Sequence, residues 1–263
     1  SKSKLVPNYI SIVVVIILIV GIFFRCVNLD RKVYWHDEVY TSVRVAGYEG
    51  DRVSEQIFTD KILTVNDVLK FQTIKPNTNL IDVIKVLATH PEHPPLYYLL
   101  TRIWCQLFGS SITIIRSLSV VFSLLVFPCI YWLAWELFQS PKVGWMAMTL
   151  VAVSPFHLLY AQEAREYSLW TVTILLASAA LLRAIRLKSQ RMWTIYAVTL
   201  ALNFYVSLLS IFVLVSHAFY ALSTENFSVL QAKKSAKLNF PKQSSKNTYS
   251  FCLAAVSAVL LFS

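Results

Sequence analysis

Apolar residues gather in long runs along this chain, separated by polar stretches of very unequal size. Tyr9 to Val27 is the first run of membrane-spanning length. Ile112 to Phe138 is the second, with Pro128 inside it, and Val143 to Tyr160 and Tyr167 to Leu182 follow. Met192 to Leu222 is long enough for two short spans, with a turn near Asn203 to Ser207, and a last run begins at Tyr249. The pattern predicts an all-α polytopic membrane protein with about seven transmembrane helices.

The polar stretch after the first run is the longest, residues 28–111, and it holds ten of the fourteen acidic residues. Apolar positions at helical spacing predict three amphipathic helices in it: Asp37 to Ala46 (Val39, Val43, Ala46), Thr64 to Phe71 with a cap-like Thr64 and Asp67, and Asn79 to Ala88. Leu96 to Phe108 is apolar too, but as a helix it would measure roughly 20 Å against a hydrocarbon core of about 30 Å. It also carries Arg102 in its middle. It reads as an interfacial or re-entrant helix started by Pro94 and Pro95.

Basic residues set the sidedness. With the N-terminal SKSK in the cytoplasm and 96–108 not crossing, Lys142, RAIRLKSQR and the lysine-rich linker 223–248 all fall inside, as the positive-inside rule asks. If 96–108 crossed, every later basic loop would lie outside. The domain plan is therefore one transmembrane domain: a first span at 9–27, an outer loop at 28–111, spans two to six over 112–222, a basic cytoplasmic linker, and the start of a further span at 249–263. The chain opens without Met and closes within an apolar run, which reads as the N-terminal part of a longer protein.

Composition agrees: 56% of residues are hydrophobic and 14% charged, too apolar for an ordinary soluble domain. The net charge of +10 is accounted for by cytoplasmic loops, and no nucleic-acid-binding motif is visible. Four cysteines, all in or beside apolar runs, show no metal-ligand spacing.

On this topology three polar clusters share the outer face. The first is Asp37 and Glu38 within YWHDEVYTSVR. Asp37 is either a helix N-cap or, being ionised at neutral pH, a proton acceptor. The second is HPEHPP, where His90 and His93 flank Glu92: a divalent-metal site, a phosphate contact and a plain polar loop all fit. The third is QEAREY, where Glu163 and Arg165 form either an interfacial ion pair or a functional one. Arg116, at the start of its span, reaches the same outer region or snorkels.

The order and spacing of these segments resemble a known family. An Asp-Glu pair beyond the first span, HPPLYYLL, LFG followed by the Arg of IIRSLS, and SPFHLLYAQEAREYSL together resemble the GT-C glycosyltransferases. The bacterial branch of the protein O-mannosyltransferase and aminoarabinose transferase group is the most similar. The resemblance covers residues 10 to about 222. It implies a cell-envelope enzyme of the cytoplasmic membrane, with its active site on the outer face. Such an enzyme moves a sugar from a polyprenyl-monophosphate donor to a protein, lipid or glycan acceptor, with inversion. It also implies Asp37 as general base with Glu38 beside it, and Arg165, Glu163, Arg116, His93, His90 and Glu92 as donor-phosphate or substrate contacts. The aminoarabinose branch has a Lys where this chain has His93, which shifts phosphate binding toward Arg165. A transporter or flippase of a lipid-linked sugar, and a non-catalytic paralogue, are the competing readings. The few mid-span charges and the lack of an internal repeat weigh against transport.

Overall fold

The computed structural model describes residues 8–89, 92–235 and 245–262, and side chains at 9–89, 92–224 and 247–262. The described residues are helical with connecting turns, and no strand occurs among them. Among the described residues three helices are long and apolar enough to cross a membrane: α1 (Asn8–Cys26), and two that follow the outer loop. In that loop lie α2 (His36–Ala46), α3 (Gly50–Ile57), α4 (Val65–Leu69), α5 (Leu80–Ala88) and α6 (Leu96–Phe108). Then come α7 (Ile112–Phe138), the pair α8 (Pro141–Val153) and α9 (Pro155–Ala161), α10 (Tyr167–Leu187), α11 (Gln190–Val206), α12 (Ser210–Ser235) and α13 (Ser245–Phe262). The long apolar helices are α1, α7 and α10, and α8 with α9 adds a fourth crossing if the pair is one broken span. Shorter apolar stretches lie in α12 and α13.

The run 143–160, expected as one span, is bent by 63° at Ser154–Pro155. The cause is local. Pro155 has no N–H, so the Val151 carbonyl four residues earlier loses its helical donor. Arg25 of α1 replaces it. Its guanidinium donates to the carbonyls of Val151 (2.8 Å), Ala152 (2.9 Å) and Gly21 (2.8 Å) and to Ser123 Oγ (2.9 Å). This draws α1 against the break so closely that a Cβ at position 21 would stand 2.6 Å from the Ala152 carbonyl oxygen. Away from this seam α1 is peripheral: 11% of its apolar window is buried, against 56% for α7 and for α10.

α7 runs unbroken through Pro128. Arg116 near its start and Glu136 near its end bracket about 30 Å of helix, the thickness of a hydrocarbon core. At the Glu136 end, the buried carboxylate takes bonds from Arg183 (3.1 Å) and Arg186 (2.5 Å) of α10. α10, α11 and α13 pack around Leu181, Trp193, Tyr196, Leu200 and Phe251.

The outer-loop helices close over the Arg116 end. Val45 of α2, Val83 and Leu87 of α5, and Tyr98 and Cys105 of α6 bury against Ile115 and Ala164. Arg102, the charge that interrupts the apolar run of α6, is fully buried. It donates to the Val45 carbonyl (2.9 Å) and to the carbonyl and hydroxyl of Thr78 (2.8 and 2.9 Å), so it ties α6 to α2 and to the loop before α5. α2 stops at Gly47, which takes φ of 92°, a conformation glycine adopts without strain.

Candidate functional site

The site is built on a turn and a helix start. Residues 162–166 join α9 to α10, and nearly every one of them is tied down. Gln162 donates to the carbonyls of Phe24 (2.6 Å) and Val27 (3.0 Å) at the end of α1. Glu163 pairs with Lys32. The Ala164 N–H donates to Glu38 Oε1 at 2.7 Å. The Arg165 carbonyl accepts from Ser119 Oγ (3.4 Å). Only the Arg165 side chain of this group turns to the cavity described below.

Glu38 anchors the other half. Trp35, in extended conformation, caps α2, so Asp37 is the second helical residue and not the N-cap. Glu38 reaches back toward the Trp35 N–H (3.4 Å) and meets Arg116 with both oxygens, at 2.8 and 2.7 Å. Both side chains are fully buried. Arg116 also donates to the carbonyls of Leu29 (2.6 Å), Lys32 (3.0 Å) and Val33 (3.0 Å). One carboxylate and one guanidinium thus knot the loop after α1, α2, α7 and the 162–166 turn. Neither lines the cavity. Expected at the chemistry, both are occupied with holding the frame.

Asp37, next in sequence, is placed differently. It is about one-third exposed, and its Oδ2 lies 4.0 Å from Arg165 Nη2. Its Oδ1 is 3.4 Å from His36 Nδ1. It sits in the first turn of α2. The two residues border a cavity of about 200 Å³ lined by His36, Asp37, Tyr40, Arg44, His93 and Arg165.

Arg165 is nearly buried and contacts Glu166 at 3.1 Å. Burial alone would lower its pKa, but Glu166, Tyr98, Tyr167 and Asp37 around it hold it above the ordinary value, so it stays charged. Its Nε has no hydrogen-bond partner among the described residues. His93 packs against Tyr98, with Nδ1 3.3 Å from the phenol oxygen, and its Nε2 is 3.7 Å from Glu92. Burial pushes the Tyr98 phenol up to about 12, so it keeps its proton at neutral pH and has one to donate to His93. His90 lies outside the described residues. Among those described, no three His, Cys, Asp or Glu side chains gather as a metal site.

The expected site residues therefore separate into two sets. Asp37, His93 and Arg165 meet at the cavity, Glu38, Arg116 and Glu163 are held in ion pairs behind it, and Glu92 stands outside both, beside His93 and exposed. Three lining residues were not singled out from the sequence: His36, Tyr40 and Arg44. The signal was in the spacing. Positions 37, 40 and 44 make a stripe at i, i+3 and i+7, which is the complement of the apolar face at Val39, Val43 and Ala46.

A protein-family model, dolichyl-phosphate-mannose-protein mannosyltransferase, matches residues 92–239, more than half of the chain. The chain belongs to this family. It is accordingly a membrane glycosyltransferase of the GT-C type. The matched segment includes His93, Arg116, Glu163 and Arg165, whereas Asp37, Glu38 and Arg44 precede it. Neither a curated protein nor a solved structure matches the chain.

Proposed function

We propose that this protein moves a sugar from a polyprenyl-monophosphate carrier to an acceptor at the outer face of the cytoplasmic membrane, inverting the anomeric centre, with Asp37 as the general base. The observation that carries this reading is the meeting of Asp37 and Arg165 at one cavity: an acid from just after the first span and a guanidinium from the start of α10. Two residues so far apart in the chain share a compartment only if the intervening helices return to the same side. That agrees with 96–108 staying on one face and with the basic loops on the other.

The step balances as follows. A hydroxyl or amine of the acceptor attacks the anomeric carbon as the bond from that carbon to the phosphate oxygen breaks, and the electron pair leaves with the oxygen. The acceptor proton passes to Asp37. The donor enters as a phosphodiester with one negative charge and departs as a phosphate monoester with two, while Asp37 goes from charged to neutral. The gain at phosphate is where a fixed cation lowers the barrier. Arg165 and His93 face the donor phosphate in this scheme, and His93 contributes charge only when protonated. Glu38 and Arg116 act by positioning α2 and the 162–166 turn.

The test uses the full-length protein in membranes with radiolabelled polyprenyl-phosphate sugars. Asp37→Asn should abolish transfer while insertion and folding persist. Full transfer by that variant overturns Asp37 as base. Label that accumulates across the bilayer without entering any acceptor replaces transfer with transport.

A further inference from the structure

Of the five guanidiniums buried around the outer half of the molecule, four have compensating partners. Arg25 has the carbonyls of Gly21, Val151 and Ala152 and the Ser123 hydroxyl. Arg116 has Glu38 and three carbonyls, Arg102 has carbonyls of α2 and the loop before α5, and Arg165 has Glu166 with Asp37 nearby. The fifth is Arg44, which has neither an ion pair to a carboxylate nor a bonded carbonyl among the described residues and meets only the Tyr98 phenol as a polar neighbour. It is 8% exposed, lines the cavity, and lies over the Tyr40 ring at 5.4 Å. A cation withdrawn from water without an anion is costly, and a cavity that borders it is where an anion would enter.

The placement along α2 adds geometry. Asp37, Tyr40 and Arg44 form one stripe, with the first and last residues two turns, or about 10.5 Å, apart along the axis. Inverting transfer needs the base and the leaving phosphate at opposite ends of a line through the anomeric carbon, with the sugar between them. Arg165, at 4.0 Å from Asp37, stands beside the base. Arg44 stands beyond Tyr40, whose ring spaces it from the carboxylate.

We propose that Arg44 is the donor-phosphate contact of this enzyme, receiving the phosphate oxygens as the sugar leaves, and that Arg165 instead orients Asp37. This rests on the transferase reading above and divides its labour differently. Arg44 lies outside the segment that matches the family.

The experiment measures binding of a sugar-free polyprenyl monophosphate, and of the matching polyprenyl alcohol, to full-length protein in phosphatidylcholine nanodiscs. Wild type should prefer the monophosphate by tenfold or more. Arg44→Gln should erase that preference, Arg44→Lys should keep part of it, and Asp37→Asn should leave it intact. Undiminished preference in Arg44→Gln overturns the assignment and leaves the transferase reading standing. No preference in the wild type overturns both. A second measurement needs no variant. Phenylglyoxal labelling of Arg44, read by mass spectrometry, should be blocked by the monophosphate and not by the alcohol. Equal labelling with either, or protection by an anionic phospholipid alone, assigns the seat elsewhere and overturns the proposal.

Discussion

Asp37 and Glu38 are adjacent, chemically alike and each close to an arginine, yet they do opposite work. The Glu38–Arg116 pair is fully buried, bidentate and closed, with the remaining Arg116 donors spent on three carbonyls. The Asp37–Arg165 pair is open: 4.0 Å apart, with one-third of the Asp37 side chain exposed and a buried Arg165 Nε without a partner. A helix start turns successive side chains by about 100°, so one acid points into the frame and its neighbour into the cavity. A closed pair holds position. An open pair keeps hydrogen-bonding capacity for something that arrives.

The largest effect should come from breaking the closed pair. Arg116→Ala leaves the Glu38 carboxylate buried without its partner, which costs about 3–5 kcal/mol. It also frees the loop after α1 and the 162–166 turn. The full-length protein in detergent should unfold at a clearly lower temperature or fail to accumulate. An unchanged midpoint would show that the knot is not structural.

Asp37→Asn is the matched contrast. Removing a general base costs about 10²- to 10⁴-fold in rate. Stability should hardly move, because beyond its own first turn the Asp37 side chain makes only the open 4.0 Å pair with Arg165. Comparing the unfolding midpoints and transfer rates of the two variants separates the two roles. A collapse of stability in Asp37→Asn would erase the distinction.

Lys32→Met probes an intermediate case. Glu163 is nearly buried, pairs with Lys32, and its Oε2 already lacks a hydrogen-bond partner among the described residues. Losing the cation leaves a carboxylate short of donors, at a cost of about 1–3 kcal/mol. The effect should fall below that of Arg116→Ala because Lys32 is itself 29% exposed and water reaches the pair. A thermal midpoint as low as that of Arg116→Ala would contradict this ranking.

The helical, membrane-embedded character of the chain was legible because it rests on run length and periodicity, which are local. The family was legible for the same reason: HPPLYYLL and SPFHLLYAQEAREYSL are continuous segments. The break at Pro155 has a local cause, but what takes up the freed Val151 carbonyl, Arg25 of another helix, was not legible. α3 had too few apolar positions, Val53 and Ile57, to register as a helix against its charged neighbours. The division of labour between Asp37 and Glu38 was invisible, since it is decided by where Arg116 and Ala164 sit in space. Arg44 was overlooked because it lies among small and apolar residues with no motif around it; only the stripe with Asp37 and Tyr40 marks it.

The smallest effect returns to the same local device in another setting. In α4, as in α2, an acid three residues after the cap reaches back to it: Asp67 Oδ2 accepts from the Thr64 N–H (2.9 Å) and from the Thr64 hydroxyl (2.7 Å). Those bonds hold the Asp67 carboxyl below its ordinary value, the hydroxyl contributing most. Because the folded value is the lower one, the stabilisation is present above the unfolded pKa of about 3.9 and is lost as pH falls through the folded value. Asp67 lies at the surface with no buried arginine behind it, so its protonation should loosen only this turn. Amide exchange at 66–70, corrected for the intrinsic pH dependence, should quicken on acidification and in Asp67→Asn, while the turn at 162–166 stays protected. If the α4 amides ignored both changes, the reach-back at Thr64 would contribute nothing, and Glu38 would owe its hold to Arg116 and the Ala164 N–H rather than to the same geometry.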